Sequence, residues 1–211
     1  MTRKEIIDIL LQEKLVAIVR LKELGTAEKA IKSLVEGGVK ALEITSNTPR
    51  YLEEISKARK TFPNILIGAG TITNASIARD AIMAGAQFIV TPNTNKSIVK
   101  MAHHYNIPVL MGALSPTEIG KAAKYGADII KLFPAGSMGI GYFNAVKGPF
   151  DDLLFFPVGG ITLNNIQDWL EAGAAGVGVG SVLVKSTAGK ESALFIKSTA
   201  AKFIKLINGN N

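Results

Sequence analysis

At 211 residues, nearly half of them hydrophobic, the chain fits a single domain over 1–211 with a substantial core. It has no cysteine, which excludes disulfides, thiolate nucleophiles and Cys-based zinc sites; His103 and His104, adjacent and alone, supply no metal-ligand set and fit a polar helix face. The net charge of +7 comes from lysines spread along the chain without a basic stripe, which suits anionic metabolites and excludes an obvious nucleic-acid partner.

Thr2 and Glu5 have capping-box spacing, and Ile6, Ile7, Leu10 and Leu11 recur behind them at helical intervals, so an extra N-terminal helix is expected to end before Lys14. An apolar strand over 15–20 ends in Arg20, and an amphipathic helix over 26–36 stops at Gly37-Gly38. A second strand over 39–45 carries Glu43 near its end. The alternation continues with helices over 49–60, 74–84 and 96–105 and strands over 65–71, 87–92 and 108–112. Ser115-Pro116-Thr117-Glu118 reads as a helix start, and that helix runs to Tyr125. The strand over 127–133 holds Lys131. A short helix over 142–147, a strand over 153–158, a helix over 164–172, a strand over 176–181 and a closing helix over 192–207 complete the chain.

The eight apolar strands recur every roughly 20 to 26 residues, room for one helix and two turns each time, which is the spacing of βαβ units. Eight units fit an α/β (β/α)₈ TIM barrel; an open doubly wound sheet is the alternative, and the regular count with a final helix favours closure. No apolar run approaches a membrane span and the N-terminus lacks a signal-peptide pattern, so a cytoplasmic protein without a membrane partner is expected.

The strand ends read, in order, Arg20, Glu43, Thr71, Thr91-Pro92, Gly112, Lys131 with Phe133, Gly159-Gly160 and Gly180-Ser181, so the polar residues of the apolar strands gather at one end. In this barrel class active sites occupy that face. An ammonium group is costly in an apolar strand, so Lys131 is either a snorkelling side chain or a desolvated nucleophile for carbonyl groups. Strand alternation gives Ala41 and Glu43 one face and Ile129, Lys131 and Phe133 one face. Strands two and six lie opposite each other, and small Ala41 leaves central room, so the two side chains can meet near the axis. That is a buried ion pair or an amine beside a proton-shuttling carboxylate. The glycines after strands seven and eight either make tight turns or cradle a phosphate with backbone N–H groups, Ser181 adding a hydroxyl.

Glu43-Ile44-Thr45, Gly68-Ala69-Gly70-Thr71, the run from Gly85 to Pro92, Lys131-Leu132-Phe133-Pro134, Lys147-Gly148-Pro149-Phe150, Pro157-Val158-Gly159-Gly160-Ile161 and Gly178-Val179-Gly180-Ser181 occur in order. Together they resemble the class I 2-keto-3-deoxy-6-phosphogluconate (KDPG) / 4-hydroxy-2-oxoglutarate (KHG) aldolases, over essentially the whole chain. The resemblance implies a homotrimeric barrel that uses no metal or cofactor and acts on a small 2-keto acid phosphate. It implies Lys131 as Schiff-base lysine, Glu43 as proton shuttle, Thr71, Pro92 and Phe133 at the pyruvate end, and Gly159, Gly160, Gly180 and Ser181 around the phosphate. Many members carry Glu-Val-Thr-Leu-Arg-Thr after strand two; here the segment is Glu43-Ile44-Thr45-Ser46-Asn47-Thr48, so Asn47 replaces the arginine, and Arg20, which matches an arginine of other members, can serve the substrate carboxylate instead. Asn47, Thr91-Pro92-Asn93 and Pro157-Val158-Gly159-Gly160 are similar to the branch that cleaves the C4 epimer, 2-keto-3-deoxy-6-phosphogalactonate. Gly148-Pro149-Phe150 and Ser115-Pro116-Thr117-Glu118 look like the gluconate branch. The expected activity is cleavage of KDPG to pyruvate and glyceraldehyde 3-phosphate, with KHG as a further substrate. The alternatives are the galactonate epimer and, more distantly, a sugar-phosphate isomerase or binding protein on the same barrel.

Overall fold

Period-two alternation in the strands and capped amphipathic helices between them build two nested apolar layers. The computed structural model describes residues 1–184 and 189–209. In order, these form α1 (Arg3–Glu13), β1 (Leu15–Val19), α2 (Ala27–Glu36), β2 (Ala41–Thr45), α3 (Tyr51–Thr61), β3 (Leu66–Gly70), α4 (Ala75–Met83), β4 (Ile89–Val90) and α5 (Lys96–His104). There follow β5 (Val109–Ala113), α6 (Pro116–Tyr125), β6 (Ile129–Leu132), α7 (Ala135–Lys147), β7 (Phe155–Pro157), α8 (Ile166–Glu171), β8 (Val177–Val179) and α9 (Gly189–Asn208). All strand pairs are parallel, in the order β7-β6-β5-β4-β3-β2-β1-β8, and a parallel bridge between Val158 and Gly178 brings the two ends together. The fold is the expected TIM barrel with an N-terminal helix. No helix among the described residues is long and apolar enough to cross a membrane.

The inner layer contains Val16, Ala41, Leu66, Phe88, Val90, Leu110, Ile129 and Phe156, joined by Ile6 and Leu10 of α1. The first helix thus plugs the end of the barrel where the strands begin. Its start carries the capping box read from Thr2 and Glu5. The outer layer packs residues of opposite parity, such as Ala17, Leu42 and Ile130, beneath the helices. Two inner glycines make room for large rings: a Cβ on Gly68 would lie 2.4 Å from Phe88, and one on Gly176 would lie 2.4 Å from Phe156. Alternating large and absent side chains is how a barrel this small fills its interior without overlap.

Asp128 fastens the plugged end. Its Oδ2 accepts from Val109 N at 2.8 Å and lies 2.9 Å from His103 Nε2, while its Oδ1 meets Arg3 Nε at 3.3 Å. His103 therefore ties α5 to the base of β6, where the sequence suggested only a polar helix face. Helix α7 also differs from expectation, beginning directly after β6 at Ala135 and bending at Gly139 (φ 78°, ψ 170°) before the stretch read as helical. Strands β4, β7 and β8 are shorter than the apolar runs that signalled them: Gln87-Phe88 and Leu153-Leu154 precede β4 and β7, and all three stop one or two residues early at the barrel mouth.

Candidate active site

Lys131 and Glu43 share parity with inner-layer residues of their strands, so both project inside the barrel one layer above Ile129 and Ala41. Both are buried, Lys131 at 4 % exposure and Glu43 at 1 %. A lysine that snorkels to the outer surface would be far more exposed than this, so its burial does not fit that account. Among the ion pairs of the described residues, none joins the two. The Lys131 ammonium instead lies 5.3 Å from the centre of the Phe133 ring, within cation–π range. Glu43 Oε1 is buried with no hydrogen-bond partner in the protein. An unsatisfied buried acceptor costs about 1–3 kcal/mol, more when charged, so the fold tolerates an expense here that stability alone does not explain.

Room for Glu43 comes from the neighbouring strand. A Cβ on Gly70 would fall 1.7 Å from Glu43 Oε1 and 2.3 Å from its Cδ. The sequence suggested that Ala41 opened the centre of the barrel; Ala41 belongs to the packed inner layer, and Gly70 provides the space. A second glycine does the same for Pro92. A Cβ on Gly112, which is in register with Lys131, would lie 2.3 Å from the Pro92 carbonyl carbon. Thr91 locks that loop inward: its hydroxyl accepts from Gly112 N at 2.9 Å and donates to Asn93 O at 2.7 Å.

A cleft of about 120 Å³ opens above Lys131, lined by Ile18, Arg20, Lys131, Phe133, Val158, Gly159 and Gly180. Five residues singled out from the sequence meet there: Arg20, Lys131, Phe133, Gly159 and Gly180. Two cations and no carboxylate line the wall, which suits an anionic ligand. Thr71 stands beside the cleft and accepts from Arg20 Nη2 at 3.4 Å. Phe133 is 37 % exposed, so it forms a rim and not a sealed cover. Asn47 and Ser181 are exposed and do not line the cleft, and neither do Pro92 or Gly160.

Gly159 and Gly160 have φ of 89° and 79°, in the region that glycine occupies without penalty. They also pack tightly on Gly136, whose Cβ would lie 2.7 Å from both Gly159 O and Gly160 Cα. Asn165 Nδ2 then holds Gly160 O at 2.9 Å. The turn therefore requires its glycines for backbone reasons, whatever it binds. Among the described residues no group of three His, Asp or Glu side chains is placed to hold a metal ion. Sequence reasoning named Gly70 and Gly112 but missed the space they provide, and it missed Ile18 and the locking role of Thr91. Period-two counting from Arg20 could have found Ile18, whereas the glycines depend on how neighbouring strands register.

Comparisons with known proteins agree with this geometry. Residues 6–196 match the family described as KDPG and KHG aldolase. A 2-dehydro-3-deoxy-phosphogluconate aldolase of Treponema pallidum is 32 % identical over 166 residues, covering 78 % of this chain and 79 % of that one. A solved structure described as native KDPGal superposes with a TM-score of 0.85 at 33 % identity, covering 92 % of this chain and 94 % of that one. A KDPG aldolase from Legionella pneumophila, solved with pyruvate captured as a covalent carbinolamine, gives 0.79 at 28 % identity, covering 93 % and 94 %. With a family match spanning most of its length and a buried lysine at the mouth of a parallel barrel, the chain belongs to the KDPG and KHG aldolases and is a lyase of that family.

Proposed function

We propose that this chain is a Schiff-base aldolase that cleaves KDPG to pyruvate and glyceraldehyde 3-phosphate, and KHG to pyruvate and glyoxylate. The observation that carries the reading is Lys131, a buried amine lining a cation-walled cleft, with the unpartnered carboxylate oxygen of Glu43 in the same inner layer. The free amine of a lysine is the form that attacks a ketone.

The chemistry follows. Lys131 Nζ adds to C2 of the substrate to give a carbinolamine, and Glu43 supplies the proton that lets water leave as the iminium forms. Glu43, directly or through water, then takes the C4 hydroxyl proton. The C3–C4 bond breaks, its electron pair moves into the iminium to give an enamine, and glyceraldehyde 3-phosphate departs. Protonation at C3 and hydrolysis of the resulting iminium release pyruvate and restore the amine. In this reading Arg20 meets the substrate carboxylate, Thr71, Pro92 and Phe133 bound the pyruvate end, and the 159–160 and 180–181 turns hold the phosphate. Asn47 stands where many members have arginine, and because it does not line the cleft the carboxylate falls to Arg20, which does. The homotrimer implied by the resemblance belongs to the same reading, and native mass spectrometry checks it.

A second reading, cleavage of the galactonate epimer, is favoured by one observation. Val158, which belongs to one of the segments similar to the galactonate branch, lines the cleft. A coupled assay for pyruvate release with both C4 epimers and KHG decides the matter. The first reading requires KDPG to have the higher kcat/KM; a preference for the galactonate epimer supports the second. No pyruvate from any of the three overturns the aldolase assignment. An isomerase would keep its activity in Lys131→Met, whereas the aldolase loses nearly all of it.

A further inference from the structure

The loop after β2 contains a hydrogen-bonding chain that leads from outside the cleft to one of its two cations. Thr71, the residue following β3, has φ of 58°. For a β-branched side chain that is a strained conformation which the surroundings must enforce. The enforcing group is Ser46. Its backbone N–H donates to Gly70 O at 2.8 Å, extending the β2–β3 ladder by one rung. Its hydroxyl donates to Thr71 O, also at 2.8 Å. Both bonds grip the turn from the β2 side, and the turn so held presents the Thr71 hydroxyl to Arg20 Nη2. Ser46 is half-buried and does not line the cleft, so it has no direct way to touch a ligand there.

We propose that Ser46 is a positioning residue: by holding Thr71 in its left-handed conformation, it aims Arg20 at the carboxylate of the 2-keto acid. The inference rests on the reading of Arg20 as the carboxylate partner. It also accounts for the departure seen after strand two, because a leucine at this position has no hydroxyl with which to hold the turn, and Asn47 does not point a cation into the cleft in place of Arg20.

The test is condensation kinetics with pyruvate and glyceraldehyde 3-phosphate, which report the two ends of the site separately. Losing one such hydrogen bond changes an affinity by about fivefold. Ser46→Ala is therefore expected to raise the KM for pyruvate about fivefold, with the KM for the aldehyde and the melting temperature nearly unchanged, and Ser46→Thr to restore it. In a Thr71→Gly background, where the turn adopts positive φ without help and the hydroxyl is absent, Ser46→Ala should add nothing. A wild-type pyruvate KM in Ser46→Ala, beside a raised one in Arg20→Ala, overturns the role of Ser46 and leaves that of Arg20 intact. Full additivity of the Ser46 and Thr71 substitutions also overturns it. An unchanged pyruvate KM in Arg20→Ala overturns the carboxylate reading itself, and the proposal with it.

Discussion

Glu43 occupies space that position 70 gives up by having no side chain, and in the proposed mechanism this ties catalysis to a glycine on the neighbouring strand. Gly70→Ala would set a methyl group 1.7 Å from the present place of Oε1, so the carboxylate must move. A displacement of this order costs about 100-fold in rate when it misplaces a proton-transfer group. The expected outcome is a kcat lowered by about that factor, with borohydride trapping of pyruvate on Lys131 slowed but still reaching completion, because Glu43 assists iminium formation while the amine itself is not displaced. Stopped assays and trapping on the same preparation check this. Lys131 and Glu43 were legible in the sequence because strand alternation is local: two residues on decide which way a side chain points. Gly70 was not, because the gap it leaves depends on the register of β2 against β3, which no single segment encodes.

At the scale of elements, the ends of helices were readable where caps are chemical. Ser115 accepts from Glu118 N at 3.3 Å, and Glu118 Oε2 accepts from Ser115 N at 2.8 Å and Leu114 N at 3.0 Å. These bonds, led by the one from the Ser115 backbone and followed by that from Leu114, hold the Glu118 carboxyl below its ordinary 4.5. A group with a lowered folded value contributes stability above pH 4.5 and loses it as pH falls through the folded value. Glu118→Gln should therefore melt at a lower temperature than the parent at neutral pH and converge with it in acid, as thermal scans across that range would show. The start of α7 was not legible, since the glycines at 136, 139 and 141 read as a loop. It forms because Ala135 N and Gly136 N donate to Val158 O and Gly159 O, partners far along the chain.

For the whole molecule, the barrel separates function from stability by placing them at opposite ends. Asp128 holds α1, α5 and β5 at the plugged end. Asp128→Ala strands a buried N–H and releases Arg3 and His103, which should cost about 2–4 kcal/mol. Chemical denaturation is expected to show that loss while the KM values stay at wild type. The count of eight strands made this architecture readable from the start, because regular βαβ spacing survives small errors in every boundary. The contacts across the ends of the barrel, between residues a hundred or more positions apart, needed the fold itself.

In the proposed mechanism Lys131 is the amine that bonds to substrate. Incubating the protein with pyruvate, reducing with borohydride and mapping the modified peptide by mass spectrometry tests this. One stable pyruvate-derived adduct, on Lys131, is expected. Absence of an adduct, or its appearance on Lys147 instead, would contradict it.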